Sequence, residues 1–125
     1  MGKNCYCGSL ITFELCCQKF IDFSQNAKSA EDLMRSRYSA YATQAIDYLM
    51  ATTALFQRQS LSKRDILIWS QSNQWDKLEI IDSTSTTVEF KAYYTDSKNV
   101  SYIHYEKSIF IIEDEKWCYV DGEFY

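Results

Sequence analysis

Four thiols fall within the first 17 residues of this 125-residue chain, in the pattern Cys5-x-Cys7-x8-Cys16-Cys17. Zinc takes about four ligands at tetrahedral vertices with Zn–S near 2.3 Å, and two short pairs joined by one loop can reach those vertices. Gly8, directly after the first pair, frees the backbone to turn back toward a metal. The same spacing also suits ordinary reduced cysteines, or a vicinal pair engaged in thiol–disulfide chemistry. Zinc is the favoured reading of the three in a cytosolic setting. Four thiolates leave no open coordination position, so such a site is structural or a docking element, not a catalytic one. Cys118 stands apart in a strand pattern beside Trp117 and reads as a small core residue.

A second group of chemistry-bearing residues lies far along the chain. Glu106 shares strand parity with His104, Ser108 and Phe110, so these four line one face of a strand. A carboxylate buried there with a raised pKa can serve as general base. The competing reading is a buried ion pair with Arg35 or Arg37, which makes Arg35, Arg37 and Glu106 a candidate structural or binding group. Arg35 also lies four residues after Glu31, the helical spacing for a surface ion pair. No motif assembles nucleophile, base and orienter, so Glu106 is a weak catalytic candidate and an enzyme is not the expected class. His104, the one histidine, reads as a hydrogen-bonded edge residue.

These groups must be held by a small number of elements. Ser29 is a helix N-cap with Glu31 and Asp32 in the first turn. Leu33, Met34, Tyr38, Tyr41, Ala42, Ala45, Ile46 and Leu49 then recur at three- and four-residue spacing, with a break near Thr43-Gln44. Ser62 caps a further helix through Ile66, Leu67 and Trp69, and residues 18–28 read as a polar connector anchored by Phe20, Ile21 and Phe23. After Trp75 the period changes to two. Leu78 and Ile80 mark a first strand, and Val88, Phe90, Ala92 and Tyr94 one face of a second. Val100 to Ile112 reads as a third strand, residues 113–116 as a tight turn and Trp117 to Val120 as a fourth. Helices first and consecutive strands after them predict an α+β fold, with helices packed on a four-stranded antiparallel meander. The aromatics at 93, 94, 102, 105, 117 and 119 read as packing residues.

Composition narrows the function classes. Thirteen basic against 17 acidic residues give a formal charge of −4, which argues against a general phosphate-backbone patch and so against nucleic acid. Filling a four-thiolate zinc site would take the charge to about −6. A 46% hydrophobic and 16% aromatic content excludes disorder, and the absence of proline excludes a cis-proline switch. No apolar run approaches the roughly 18 residues of a membrane span. Met1-Gly2-Lys3 has no apolar region behind it, so a secretory signal is not expected; Tyr6 stands where an acylated Gly2 would want Ser or Thr. The expected setting is cytoplasmic.

Several stretches also carry a family resemblance. Cys5-Tyr6-Cys7-Gly8-Ser9 with Cys16-Cys17 resembles the SEC-C motif, the zinc module also found in the SecA preprotein translocase. Leu33-Met34-Arg35-Ser36-Arg37-Tyr38-Ser39-Ala40-Tyr41, followed by Asp47-Tyr48-Leu49, resembles the central motif of the bacterial YchJ family. Trp75-x-x-Leu78, Glu106-x-Ser108-x-Phe110 and Trp117-x-Tyr119-Val120-Asp121-Gly122 continue that likeness in order. The resemblance implies a short SEC-C zinc knuckle over 1–22, joined to a domain of nuclear transport factor 2-like, cystatin-like fold over 23–125. It implies Zn²⁺ as cofactor and Cys5, Cys7, Cys16 and Cys17 as its ligands. The family's biochemical role is uncharacterised. Tyr6 replaces the usual proline, and Leu10, Ile11 and Glu14 lack the basic charge with which the SecA module meets SecB, which argues against SecB docking here. The expected function is a small cytosolic zinc protein that acts as a protein-binding or adaptor module through the zinc motif. The alternative is a small-molecule binder or enzyme that uses a sheet-lined pocket with Glu106. Nothing in the sequence fixes the oligomeric state.

Overall fold

A computed structural model describes residues 3–125, so the Met1-Gly2 start and the Gly2 reading lie outside the described residues. A 3₁₀ turn at Phe13–Leu15 is followed by α1 (Gln18–Ile21), α2 (Ala30–Thr43), α3 (Ile46–Ala51), α4 (Leu55–Arg58) and α5 (Lys63–Ser72). Then come β1 (Gln74–Ser83), β2 (Thr87–Thr95), β3 (Ser101–Glu113) and β4 (Lys116–Phe124).

Both long helices begin where their caps predict. The Ser29 hydroxyl accepts from the Asp32 amide at 3.1 Å and the Ser62 hydroxyl from the Asp65 amide at 3.2 Å, each meeting an otherwise orphaned donor. α2 stops because Gln44 enters the left-handed region at φ 57°, which lets the Ala45 amide return to the Ala40 carbonyl at 2.8 Å. The connector at 18–28 is more ordered than expected. Phe20 is buried on α1, whereas Phe23, largely exposed and with a left-handed backbone (φ 66°), still rests its ring 5.8 Å from that of buried Tyr48.

The strands form one antiparallel sheet in the order β1-β2-β3-β4, the expected meander. Asp114 and Glu115 close the β3–β4 hairpin, and both take the positive φ that a two-residue turn requires. Register shifts at Trp75/Lys77, at Ile80/Asp82 and beside Ile109/Phe110 mark β-bulges, which bend the sheet around the helices. The free edge of β4 is partly covered, because Tyr119 exchanges backbone bonds with Thr52 and Ala54 at 2.7 and 2.8 Å. β3 is flanked by β2 along its length, but its pairing with β4 runs only from Glu106 to Glu113, so His104 pairs with Ala92 of β2 and with no residue of β4.

α2 is the central wall. Leu33, Met34, Arg37 and Tyr38 are buried, and so are Ser36, Ser39 and Ala40 on its other side. Leu33, Leu49, Val88 and Phe110 are almost wholly enclosed, each worth roughly 1.5–3 kcal/mol relative to exposure. Cys5, Cys7, Cys17 and Phe20 belong to the same hydrophobic cluster as these residues. The N-terminal segment is therefore packed into the core that α2 shares with the sheet.

Candidate functional site

The first pair of cysteines sits on a small hairpin. Cys5 accepts from the Gly8 amide at 3.2 Å and donates its own amide to the Ile11 carbonyl at 2.8 Å; Gly8 carries φ 83°, the left-handed value its position demands. The second pair lies between the 3₁₀ turn and α1, where the Cys17 carbonyl accepts from the Phe20 and Ile21 amides. The two pairs converge: the four Sγ atoms lie within 4.8 Å of one another. Cys7 and Cys16 are 3.7 Å apart and Cys16 and Cys17 are 3.9 Å apart. A tetrahedron with Zn–S near 2.3 Å has edges of about 3.8 Å. This donor set could hold a metal ion.

The electrostatics agree with the geometry. Hydrogen bonds with Cys17 and Cys7 pull the Cys5 thiol down. Hydrogen bonds with Cys5 and Cys7, reinforced by burial, push Cys17 up, and burial pushes Cys16 to about 11. Four thiols this close compete for protons, and a cation at their centre is what allows all four to ionise. Surrounding groups orient them. Ser9 Oγ lies 3.1 Å from Cys16 Sγ, and Ser39 Oγ of α2 lies 3.5 Å from Cys5 Sγ. Arg35 donates to the Cys7 carbonyl at 2.8 Å while its Nε holds Glu31 at 3.0 Å, the anticipated i,i+4 pair. Its positive charge stands beside the thiols, where it stabilises an anionic centre.

The second group is assembled on the inner face of the sheet. Glu106, 5% exposed, accepts from Ser108 at 2.5 Å and from Tyr119 at 2.9 Å on Oε2, and meets His104 Nε2 at 2.7 Å on Oε1. Burial pushes its pKa up, but the bonds from His104, Ser108 and Tyr119 outweigh it and hold the carboxyl below the usual carboxylate value. That is opposite to the raised value a general base would need. The expected ion pair between Glu106 and an arginine is not made. Arg35 points to the other side of α2, and Arg37 Nη1 is engaged with Leu49 O, Thr52 Oγ1 and Thr53 Oγ1 at 3.1, 2.8 and 3.3 Å. The Tyr119 ring stands between: the Arg37 guanidinium lies 4.9 Å from its centre, and its hydroxyl bonds Glu106. Gly122 makes this possible, since a Cβ there would fall inside the Glu106 carboxylate.

Glu106 closes one end of a cavity of about 250 Å³ between α2, α5 and the sheet. Its walls are aromatic, with Tyr41, Trp69, Trp75, Phe90 and Tyr94 among them. Of the aromatics read as packing residues, Tyr94 and Tyr119 face this cavity, whereas Tyr93 and Tyr105 donate to Glu79 and Glu89 on the other face. Trp69, Trp75 and Tyr41 were not among the expected site residues. Their signal was an aromatic at each of three separate elements, which only the folded chain brings together.

Among the described residues, no helix is long and apolar enough to cross a membrane. Residues 29–122 match the family described as YchJ, middle NTF2-like domain. A UPF0225 protein of Haemophilus influenzae (strain 86-028NP) is 37% identical over 124 residues, covering 95% of this chain and 76% of that one. A UPF0225 protein of Geobacter sulfurreducens is 34% identical over 98% of this chain and 80% of its own. The solution structure of an SEC-C motif containing protein from Rhodopseudomonas palustris superposes with a TM-score of 0.88 at 31% identity, over 97% of this chain and 98% of that one. A crystal structure of an SEC-C motif containing protein from Psychrobacter arcticus shares the fold, with a TM-score of 0.76 at 24% identity over 97% and 81% of the two chains.

Proposed function

This chain belongs to the YchJ (UPF0225) family, and from that premise we propose that it is a small cytoplasmic zinc protein whose metal is structural and whose role is binding. The observation that carries the reading is the convergence of Cys5, Cys7, Cys16 and Cys17 to within 4.8 Å. Zinc held there would act as a closed four-thiolate cross-link with no position for a substrate. Arg35, Ser9 and Ser39 would fix the thiolates and offset their charge. The knuckle over 1–22 and the domain over 23–125 would then work as one body, because Ser39 and Arg35 of α2 bond the cysteine segment that the metal would hold. The adaptor surface in this proposal is the outer side of the knuckle, where Leu10 and Leu15 are 79% and 70% exposed, and its partner is another protein. Metal analysis of the purified chain tests the zinc reading. About one zinc per chain is expected, lost in a Cys16→Ser, Cys17→Ser variant. A metal-free chain that folds normally with reduced thiols overturns it.

A second reading rests on a different observation. Glu106 lines an aromatic cavity of about 250 Å³ and is bonded to no arginine, the arrangement expected of a small-molecule pocket rather than of a filled core.

A further inference from the structure

The hydrogen bonds around the cavity are unevenly satisfied, and the imbalance identifies what the cavity lacks. Both oxygens of Glu106 are occupied, by His104 on one side and by Ser108 and Tyr119 on the other. Arg37 is different. It is only 7% exposed and lines the cavity, yet among the described residues no carboxylate lies within ion-pair distance of it. Its three hydrogen bonds all leave from Nη1, so Nε and Nη2 have no partner among the described residues. These two groups are free to donate to a bound anion. Cation–π contact with Tyr119 supplies no acceptor for them.

Resting on the small-molecule reading above, we propose that the cavity binds a small planar carboxylate, with the carboxylate on Arg37 and the conjugated body lying against the Trp75, Tyr41 and Tyr94 rings. Trp75 lies 5.3 Å from Tyr41 and 5.5 Å from Tyr94, at interplanar angles of 39° and 40°, so the three rings offer splayed faces instead of a closed stack. The volume is below the roughly 300–1,000 Å³ typical of drug-sized ligands, which limits the occupant to a one-ring or short conjugated acid. The Glu106 charge repels a carboxylate, which favours its placement on Arg37. Arg37 supplies a planar fork of donors that matches a carboxylate, which a lysine ammonium would not.

Amide and indole NMR shifts of the full chain test this with four probes: benzoate, trans-cinnamate, cinnamyl alcohol and phenyltrimethylammonium. The two carboxylates are expected to shift the indole signals of Trp69 and Trp75 while leaving Trp117 unmoved. Cinnamyl alcohol, the neutral counterpart of cinnamate, is expected to bind at least about tenfold more weakly. Arg37→Gln should abolish the difference between acid and alcohol. The comparison of acid with alcohol on the unmodified chain stands even if that variant fails to fold. Binding of the alcohol or the quaternary ammonium as tightly as cinnamate overturns the carboxylate assignment and leaves a small-molecule pocket. No cavity shift with any of the four overturns both.

Discussion

Gly122 decides where the Glu106 carboxylate can sit. Gly122→Ala is expected to force the carboxylate out of its bonds with Ser108 and Tyr119 and to destabilise the fold by about 1–3 kcal/mol, read from denaturant unfolding. Glu106→Ala combined with Gly122→Ala should cost clearly less than the two singles added, because the first removes the atoms that the second collides with. Acid titration gives an independent check. The folded-state pKa of Glu106 is depressed below its ordinary 4.5, so the stability it contributes is complete above that value and is lost as pH falls through the lower folded one. The stability gap between wild type and Glu106→Gln should therefore narrow below about pH 4.5 and stay level above it; a gap that widens on acidification contradicts this. At this scale the sequence was partly legible. Period two placed Glu106 with His104 and Ser108, but the partner across the sheet, Tyr119, depends on a bulged β3–β4 register that no local pattern reveals. The same hidden register explains why an arginine was expected where a tyrosine ring intervenes.

α2 divides the molecule into its two sites. One side meets the cysteine hairpin and α3, through Ser39 to Cys5 and a 2.7 Å bond between Ser36 and Tyr48. The other carries Arg37, Tyr38 and Tyr41 to the cavity. Stripping the metal with a chelator is expected to lower amide exchange protection across α2 and α3 first, while the β2 and β3 amides, held by strand pairing on both sides, keep theirs. Uniform loss across the sheet would argue against a local role for the knuckle. Ser29→Ala removes the α2 cap and should cost about 1 kcal/mol, measurable as a lower unfolding midpoint. The long helices and all four strands were readable because caps, periods and turn residues agree in each. α1 and α4, of four residues each, were not, since a single turn offers too few positions for a period to show.

At the scale of the whole molecule, the acidic chain carries its cysteine cluster inside its core. Cys5, Cys7 and Cys17 pack in one cluster with Leu33, Leu49 and Phe110, so a metal here would fix the N-terminal segment against that core, with its binding energy added to folding. The convergence of two cysteine pairs nine residues apart is the part of the account most open to direct measurement. Zinc-edge X-ray absorption on the purified chain reads the shell around the metal. Four sulfur neighbours at about 2.3 Å and no nitrogen or oxygen are expected. A shell with fewer than four sulfurs, or protein that holds no zinc while its four N-terminal thiols are reduced and its fold intact, would contradict it.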